Sequence, residues 1–248
     1  MQDNFINQIF YGDNLDVMSE KIPNNFIDLI YLDPPFNSNR NYNRIYSQYT
    51  GLPVDEEAIA FCDAWELTEE KLDQIKMFAN ELETEDDNKA FANFWNAWVK
   101  ALEYQNPRIL AYLVFMARRL RIMRHKLKDT GSLFLHCDPT ASHYIKIILD
   151  GIFGHKNFKN EIIWGYKTGG ISKKWFARKH DIIFYYAKNI NLSYFQPQKY
   201  KSYQAKRYNY NEKYPEFFDE KEKKWYHLSY VRDVWEDINP LGTGKKSV

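Results

Sequence analysis

The 248-residue chain contains little cysteine, no long apolar run and no excess of charge of one sign. Its two cysteines, Cys62 and Cys137, lie far apart without CxxC spacing, which excludes a disulfide framework and argues for reduced thiols in a cytoplasmic setting. The longest apolar stretch, around ILAYLVFMA, is too short to span a bilayer. The opening MQDNFINQIF has neither a basic n-region nor a long apolar h-region, so neither a signal peptide nor a membrane partner is expected. What is present is a 44% hydrophobic chain, long enough for one substantial core or a core plus a smaller appendage.

The formal net charge of +1 hides an asymmetry. Acids dominate from Asp55 to Asp87, in DEE, EE and ETEDD. Bases dominate afterwards: Arg118 to Lys128, then Lys156, Lys159, Lys167, Lys173, Lys174, Arg178 and Lys179, then Lys199, Lys201, Lys206 and Arg207. The first basic group reads equally well as a solvated helix face or a polyanion-facing one. The later groups are interleaved with Tyr166, Trp175, Phe176, Tyr200, Tyr203, Tyr208 and Tyr210. Bases that neutralise phosphates, mixed with rings that stack on nucleobases, suit a nucleic-acid surface.

Along the chain, QIFY predicts a short strand, and Gly12-Asp13-Asn14 are helix start signals. Ile27 to Leu32 is a short apolar run bounded by turn residues, which predicts a buried strand of a parallel sheet. Residues 54 to 106 are rich in helix formers, predicting a mobile helical insertion whose buried stripe is Trp65, Phe91, Phe94, Trp95 and Trp98. Pro107 suits a helix start, with helical spacing kept to about Lys128. TGSLFLHCD predicts a turn and a buried strand, and ASHYIKIILDGIFG a helix ending at glycine. NEIIWGY and HDIIFYYAK predict two more strands, with an antiparallel pairing open to them. After Ile190 the pattern is polar and aromatic and gives no assignment. Alternating strands and helices predict an α/β core, residues 1 to 53 and 107 to 190, with a late appendage from 191 to 248.

The sharpest motif is Asp33-Pro34-Pro35-Phe36, directly after the first apolar strand. By itself it is compatible with an ordinary Pro-Pro turn. Its position at the carboxyl end of a strand is where open α/β sheets bind ligands. An acid, a carbonyl with no competing N–H and a ring in one rigid turn can accept both hydrogens of an exocyclic amino group and stack on the heterocycle carrying it. Methylation of a nucleobase amino group requires this arrangement. The nitrogen lone pair is delocalised into the ring until acceptors favour a more tetrahedral geometry.

FYGDNLDVM, DLIYLDPPFNSNRNYN, YLVFMARRL, GSLFLHCDPTASHYIKIILDGIFG, NEIIWGY, KHDIIFYYAK and DVWEDI together resemble the β-type amino DNA methyltransferases, over nearly the whole chain. The resemblance implies a Rossmann-like core that uses S-adenosylmethionine (SAM), and double-stranded DNA as partner. An Asp at the first motif position resembles adenine-N6 more than cytosine-N4 enzymes. It further implies that Asp33 and the Pro34 carbonyl hold the N6 amino group of an extruded adenine, with Pro35 stiffening the turn and Phe36 stacking on the ring. Asp13 corresponds to an acid near the adenosine end of SAM, although a helix N-terminal acid explains it as well. Asn37, Asn39 and Arg40 fall on the loop beside the base, where turn chemistry is an alternative. From the basic groups interleaved with aromatics, Lys167, Lys173, Lys174, Arg178, Lys179, Lys206 and Arg207 are the expected DNA contacts. His180 and Asp181 are either a strand-entry pair exposed to solvent or, as the resemblance implies, residues near the target-base pocket without a proton role.

Two decoys are set aside. In HCDPTASH, His136, Cys137, Asp138 and His143 look like metal ligands, but strand neighbours point to opposite faces and His143 lies on the next helix, so no metal is expected. GTGKKS lacks phosphate-loop spacing and a preceding strand. The family pattern continues after DVWEDI with a Thr-Gln-Lys-Pro helix start and an Asp-Pro-Phe-x-Gly-x-Gly turn, and neither occurs here. The chain is therefore expected to be incomplete in its SAM half. Three readings stay open: a fragment, one half of a split enzyme completed by a second chain, or a non-catalytic DNA-binding remnant.

Overall fold

The computed structural model describes residues 7–35, 65–166, 172–209 and 215–236. Phe36, Asn37, Asn39, Arg40, Lys167 and Cys62 lie outside those residues.

Four of the five major helices begin where a side chain satisfies an orphan amide. In α1 (Asn14–Lys21) Asp13 caps the first turn, its carboxylate accepting from the Leu15 amide at 2.7 Å. Thr68 accepts from the Lys71 amide at 3.4 Å to open α2 (Glu69–Thr84), whose first turn carries Glu69 and Glu70 against the helix dipole. Asn88 opens α3 (Lys89–Gln105), and Asn106 with Pro107 opens α4 (Pro107–Lys126). The last of these helices, α5 (Ser142–Phe153), stops at Gly154, whose φ of 86° is costly for other residues.

Strands β1 (Ile27–Leu32), β2 (Leu127–Cys137), β3 (Phe158–Gly165), β4 (His180–Ala187) and β8 (Val234–Trp235) form one sheet in the order β1-β2-β4-β3-β8. β1 is parallel to β2 and β3 to β8, while β4 runs antiparallel to both its neighbours. Strands β5 (Lys199–Gln204), β6 (Glu216–Asp219) and β7 (Lys224–Tyr230) form a separate antiparallel sheet in the order β5-β7-β6. It occupies the region where the sequence pattern gave no assignment.

Helices α4 and α5 pack on one face of the large sheet, burying Leu110, Leu113, Ala117, Leu120, Ile145 and Leu149 against Leu133, Leu135 and Phe184. The α2 and α3 side chains Ile75, Phe78, Phe91 and Trp95 belong to the same core. Gly151 lets α3 come close, since a Cβ there would lie 2.1 Å from the Phe91 ring, and Asn88 donates to the Gly151 carbonyl across the same contact. Of the expected aromatic stripe, Trp65, Phe91 and Trp95 are buried, Trp98 is partly buried, and Phe94 is exposed.

Two expectations about the first strands need correction. Residues 8–11 form no strand: among the described residues no ladder takes them up, and Ile9 and Tyr11 are exposed. β1 is parallel to β2 as its apolar run predicts, but it is only partly buried. Among the described residues it pairs on one side only, and its alternation turns Ile30 and Leu32 toward the helices while Leu29 and Tyr31 on the other face remain 57% and 59% exposed. β2 also starts earlier than the TGSLFLHCD pattern indicates, running unbroken from Leu127.

Candidate active site

The carboxyl ends of β1, β2 and β3 and the start of β4 meet at one edge of the large sheet, and register decides which side chains meet there. Leu32 pairs with Leu135, so the next residues, Asp33 and His136, are neighbours. His136 pairs with Ile183 across the antiparallel ladder, and Asp181 pairs with Trp164 on the far side of β4. Side chains alternate along a strand, and Leu135 and Phe184 point into the helix-covered core. Tyr31, Asp33, His136, Ile183, Asp181 and Trp164 therefore share the opposite face.

The outcome is a line of three titratable groups. His136 Nδ1 lies 3.0 Å from Asp33 Oδ1, and its Nε2 lies 3.4 Å from Asp181 Oδ2. The His136 side chain is 8% exposed and that of Asp181 19%, whereas Asp33 is 61% exposed. The Trp164 ring packs against the imidazole, with centroids 5.6 Å apart. Burial alone would lower the His136 pKa, but the neighbouring carboxylates of Asp181 and Asp33 outweigh it and raise it. Burial also raises the Tyr166 phenol, reinforced by the charges of Asp181 and Asp138 and by a hydrogen bond to Asp181.

Beside Asp33, a cavity of about 350 Å³ opens between the end of β1, the start of α1 and α4, lined by Asp13, Tyr31, Pro34, Pro35, Phe115 and Arg119, among others. Asp13 is not a bare acid in it. Both its oxygens lie 2.6 Å from Arg119 Nη2 while it caps α1. Arg119 in turn lies 3.4 Å above the Phe115 ring and donates to Asn14 at 2.8 Å. The Asp13 side chain remains 48% exposed.

Asp33, Pro34 and Pro35 thus stand at the mouth of a cavity that Asp13 shares. Lys173, Lys174 and Arg178 are exposed on the segment leading into β4, whose start lies at the same sheet edge as Asp33. Lys179 is partly buried there, its carbonyl accepting from the Tyr166 amide at 2.9 Å. Lys206 and Arg207 follow β5 in the other sheet. Arg207 sits 4.9 Å from the Trp225 ring and 4.0 Å from Glu216 Oε2, so its charge is partly spent within that sheet.

Of the four residues that resembled metal ligands, His136 faces Asp33 while Cys137 points into the core, where burial pushes its thiol pKa up. Among the described residues no group of three or more His, Cys, Asp or Glu side chains is placed to hold a metal ion.

What the sequence pattern missed is the contact of His136 with Asp33. The signal was there in two strands of matching type: if β1 and β2 are parallel neighbours ending together, a His directly after LFL lands beside the Asp directly after IYL.

The family described as DNA methylase (N6_N4_Mtase) matches residues 27–246. Among curated relatives, the StyLTI Mod subunit of a type III restriction-modification enzyme from Salmonella typhimurium is 29% identical over 161 residues, 64% of this chain and 20% of that protein. The probable HindVI Mod subunit of Haemophilus influenzae is 41% identical over 61 residues, 25% of this chain and 8% of that one. The EcoP15I Mod subunit of Escherichia coli is 24% identical over 181 residues, 72% of this chain and 23% of that one. The chain thus spans at most about a quarter of the length of these relatives. A solved PvuII DNA methyltransferase, described as cytosine-N4-specific, has a TM-score of 0.42 and 13% identity over 73% of this chain and 49% of that one, too distant a likeness to bear on the choice of base. With the family match running from β1 to the end of the last strand and beyond, the chain belongs to the DNA methylases.

Proposed function

We propose that this chain holds the target base in a site-specific DNA methyltransferase that moves a methyl group from SAM to adenine N6. One observation carries the reading: the Asp33 carboxylate lies 3.0 Å from His136 at the carboxyl edge of the sheet, most of its surface stays open, and Pro34-Pro35 follow at once. Prolines have no N–H, so the turn presents acceptors without competing donors.

In this role Asp33 Oδ2 and the Pro34 carbonyl accept the two amino hydrogens, and Phe36 stacks on the extruded ring. Acceptors at the amino group draw the nitrogen toward tetrahedral geometry and stabilise the positive charge it develops. Each preorganised group of this kind is worth ~3–4 kcal/mol by analogy with oxyanion holes. Once the nitrogen–methyl bond has formed, the surplus amino proton leaves to water.

SAM fits the described residues at one end. The cavity beside Asp33 has apolar walls from Tyr31, Pro34 and Phe115, and Asp13 keeps accessible surface despite its pair with Arg119. Asp13, Tyr31 and Pro34 would hold the adenosine end. SAM supplies, when bound, a sulfonium-activated methyl group. The free side of β1 and the exposed Leu29 and Tyr31 support a pocket completed by a further segment or a second chain. Lys173, Lys174, Arg178 and Lys179 are the proposed phosphate contacts beside the site, and Lys206 and Arg207, with Asn37, Asn39, Arg40 and Lys167, complete the proposed DNA surface. The names of the relatives support a modification role within a restriction-modification system.

The test is methyl incorporation. The protein expressed from its native reading frame is incubated with tritiated SAM and duplex DNA, and the product is digested to nucleosides. N6-methyladenine is expected, and Asp33→Ala is expected to abolish it while DNA retention in a mobility-shift assay stays nearly intact. N4-methylcytosine would reassign the base. Loss of DNA retention together with methylation would make Asp33 structural.

A further inference from the structure

We infer that His136, clamped between Asp33 and Asp181, is a positioning residue that fixes one oxygen of the Asp33 carboxylate and leaves the other for the amino group of the target base. The inference rests on the methyltransferase reading above.

Geometry supplies the first support. Both ring nitrogens of His136 face a carboxylate, at 3.0 and 3.4 Å. A neutral imidazole has one donor and one acceptor nitrogen, and would turn a lone pair toward one of the two acids. A protonated ring donates to both. The clamp is therefore complete in the charged form, a carboxylate–imidazolium–carboxylate line with net charge −1.

Rigidity supplies the second. The three residues stand on or directly after three hydrogen-bonded strands, β1, β2 and β4, so their spacing is set by sheet register rather than by a loop. The imidazole is nearly buried and backed by Trp164, which keeps it from rotating away, and Tyr166 braces Asp181 from the next strand end. Asp33, by contrast, lies past the end of β1 with most of its side chain in solvent. A carboxylate so placed has a broad torsional well about its terminal bond unless a partner holds it. His136 at Oδ1 is that partner, and Asp181 is the anchor that keeps His136 aimed.

The arrangement carries a pH dependence. Among the described residues, Asp33 at the end of β1 and Asp181 on β4 stand 3.0 and 3.4 Å from the ring nitrogens, with Tyr166 after β3, and Cys137 and Asp138 at the end of β2, close by. The pKa of His136 is raised in the folded chain, so the clamp is whole below that value and weakens as pH rises through it, when one ring nitrogen loses its proton. Methyl transfer should fall along the same alkaline limb.

The experiment uses two variants of the native protein, His136→Gln and the near-isosteric Asp181→Asn, in single-turnover methylation across pH, with histidine NMR titration of each. His136→Gln is expected to lower the transfer rate on the order of a hundredfold, the effect of misplacing a reacting group by about 1 Å, with the Kd for DNA within about twofold. Asp181→Asn is expected to move both the His136 titration and the alkaline limb of the rate to lower pH. An unmoved titration in Asp181→Asn, or a moved titration with an unchanged rate profile, overturns the inference. If the unmodified protein transfers no methyl group, the methyltransferase reading fails and the titration alone decides the clamp: a His136 titration that does not fall in Asp33→Asn and Asp181→Asn removes it, and one that falls retains it.

Discussion

The large sheet and the small one use different physics. The large sheet is held by burial: α4 threads Leu110, Leu113, Ala117 and Leu120 into full burial against β2 and β4. The small sheet, β5-β7-β6, keeps Tyr203, Phe217, Leu228 and Tyr230 exposed and is knitted instead by cross-strand partners. Lys201 lies 4.8 Å from the Tyr226 ring, Lys199 4.8 Å from Tyr230, and Tyr203 and Phe217 both contact Tyr226. Cross-strand pairs contribute about 0.2–1 kcal/mol each, whereas truncating one buried leucine costs about 2–5 kcal/mol. The difference teaches where precision is kept: the Asp33–His136–Asp181 line is mounted on the well-buried sheet, and the aromatic, basic surface is mounted on the adaptable one.

The most damaging way to probe that contrast is Leu113→Ala in α4. Leu113 is fully buried in the common core, so the global unfolding free energy is expected to fall by about 2–5 kcal/mol, read by denaturant titration. A loss confined to one segment would show that the core is divided.

A smaller loss is expected from Arg121→Ala on the same helix. Arg121 reaches Asp86 at 2.7 Å, Glu85 at 2.7 Å and Glu81 at 3.3 Å, tying the α2–α3 junction to α4. Breaking a buried pair by removing one partner costs ~3–5 kcal/mol, but Glu85 is largely exposed and solvent screens that end of the network, so about 2 kcal/mol is expected. Thermal melts of Arg121→Ala beside Leu113→Ala rank the two. Arg121→Ala losing more would mean that charge rather than burial joins the acidic helices to the core.

The same contrast governs what was legible in the sequence. Burial writes a period into the chain, so β2, β3, β4, α4 and α5 were readable from apolar spacing, and Pro107, Asp13 and Gly154 marked helix ends by local chemistry. Apolarity did not reveal how many neighbours a strand has, which is why QIFY looked like a strand and β1 looked buried. The small sheet escaped notice because strands such as KYKSYQ and KWYHLSY alternate two polar-aromatic faces and lack the polar/apolar contrast on which the period-2 signal depends. The motif DPPF was visible as a string, but its partner was not. Asp33 and His136 are 103 residues apart and meet only through the pairing of Leu32 with Leu135, a tertiary fact that no local pattern encodes. In the string HCD, His136 resembles a metal ligand, but the fold sends His136 and Cys137 to opposite faces of β2 and leaves Asp138 past its end.

The gentlest probe belongs to the small sheet. Asp219 on β6 accepts from Lys201 Nζ at 2.6 Å, the Tyr203 hydroxyl at 2.8 Å, and the amides of Lys221 and Glu222, tying β5 to the β6–β7 turn. The hydrogen bonds from Lys201, Tyr203 and the Glu222 amide hold its carboxyl well below the usual carboxylate range. A carboxyl depressed in the folded state contributes stability at pH values above its unfolded pKa of ~3.9, and that contribution is lost as pH falls through the lower folded value. Asp219→Asn should therefore loosen β5 and β6 at neutral pH, with faster amide exchange from Lys199 to Gln204 and from Glu216 to Asp219. The global melting transition should stay where it is, because these strands lie outside the buried cluster built on α4. Acidification should reproduce the local effect in the unmodified chain and add little to it in Asp219→Asn. A global shift in Asp219→Asn would mean that the exposed sheet is structurally coupled to the buried one, and that the surface proposed to meet DNA is as rigid as the site that holds the base.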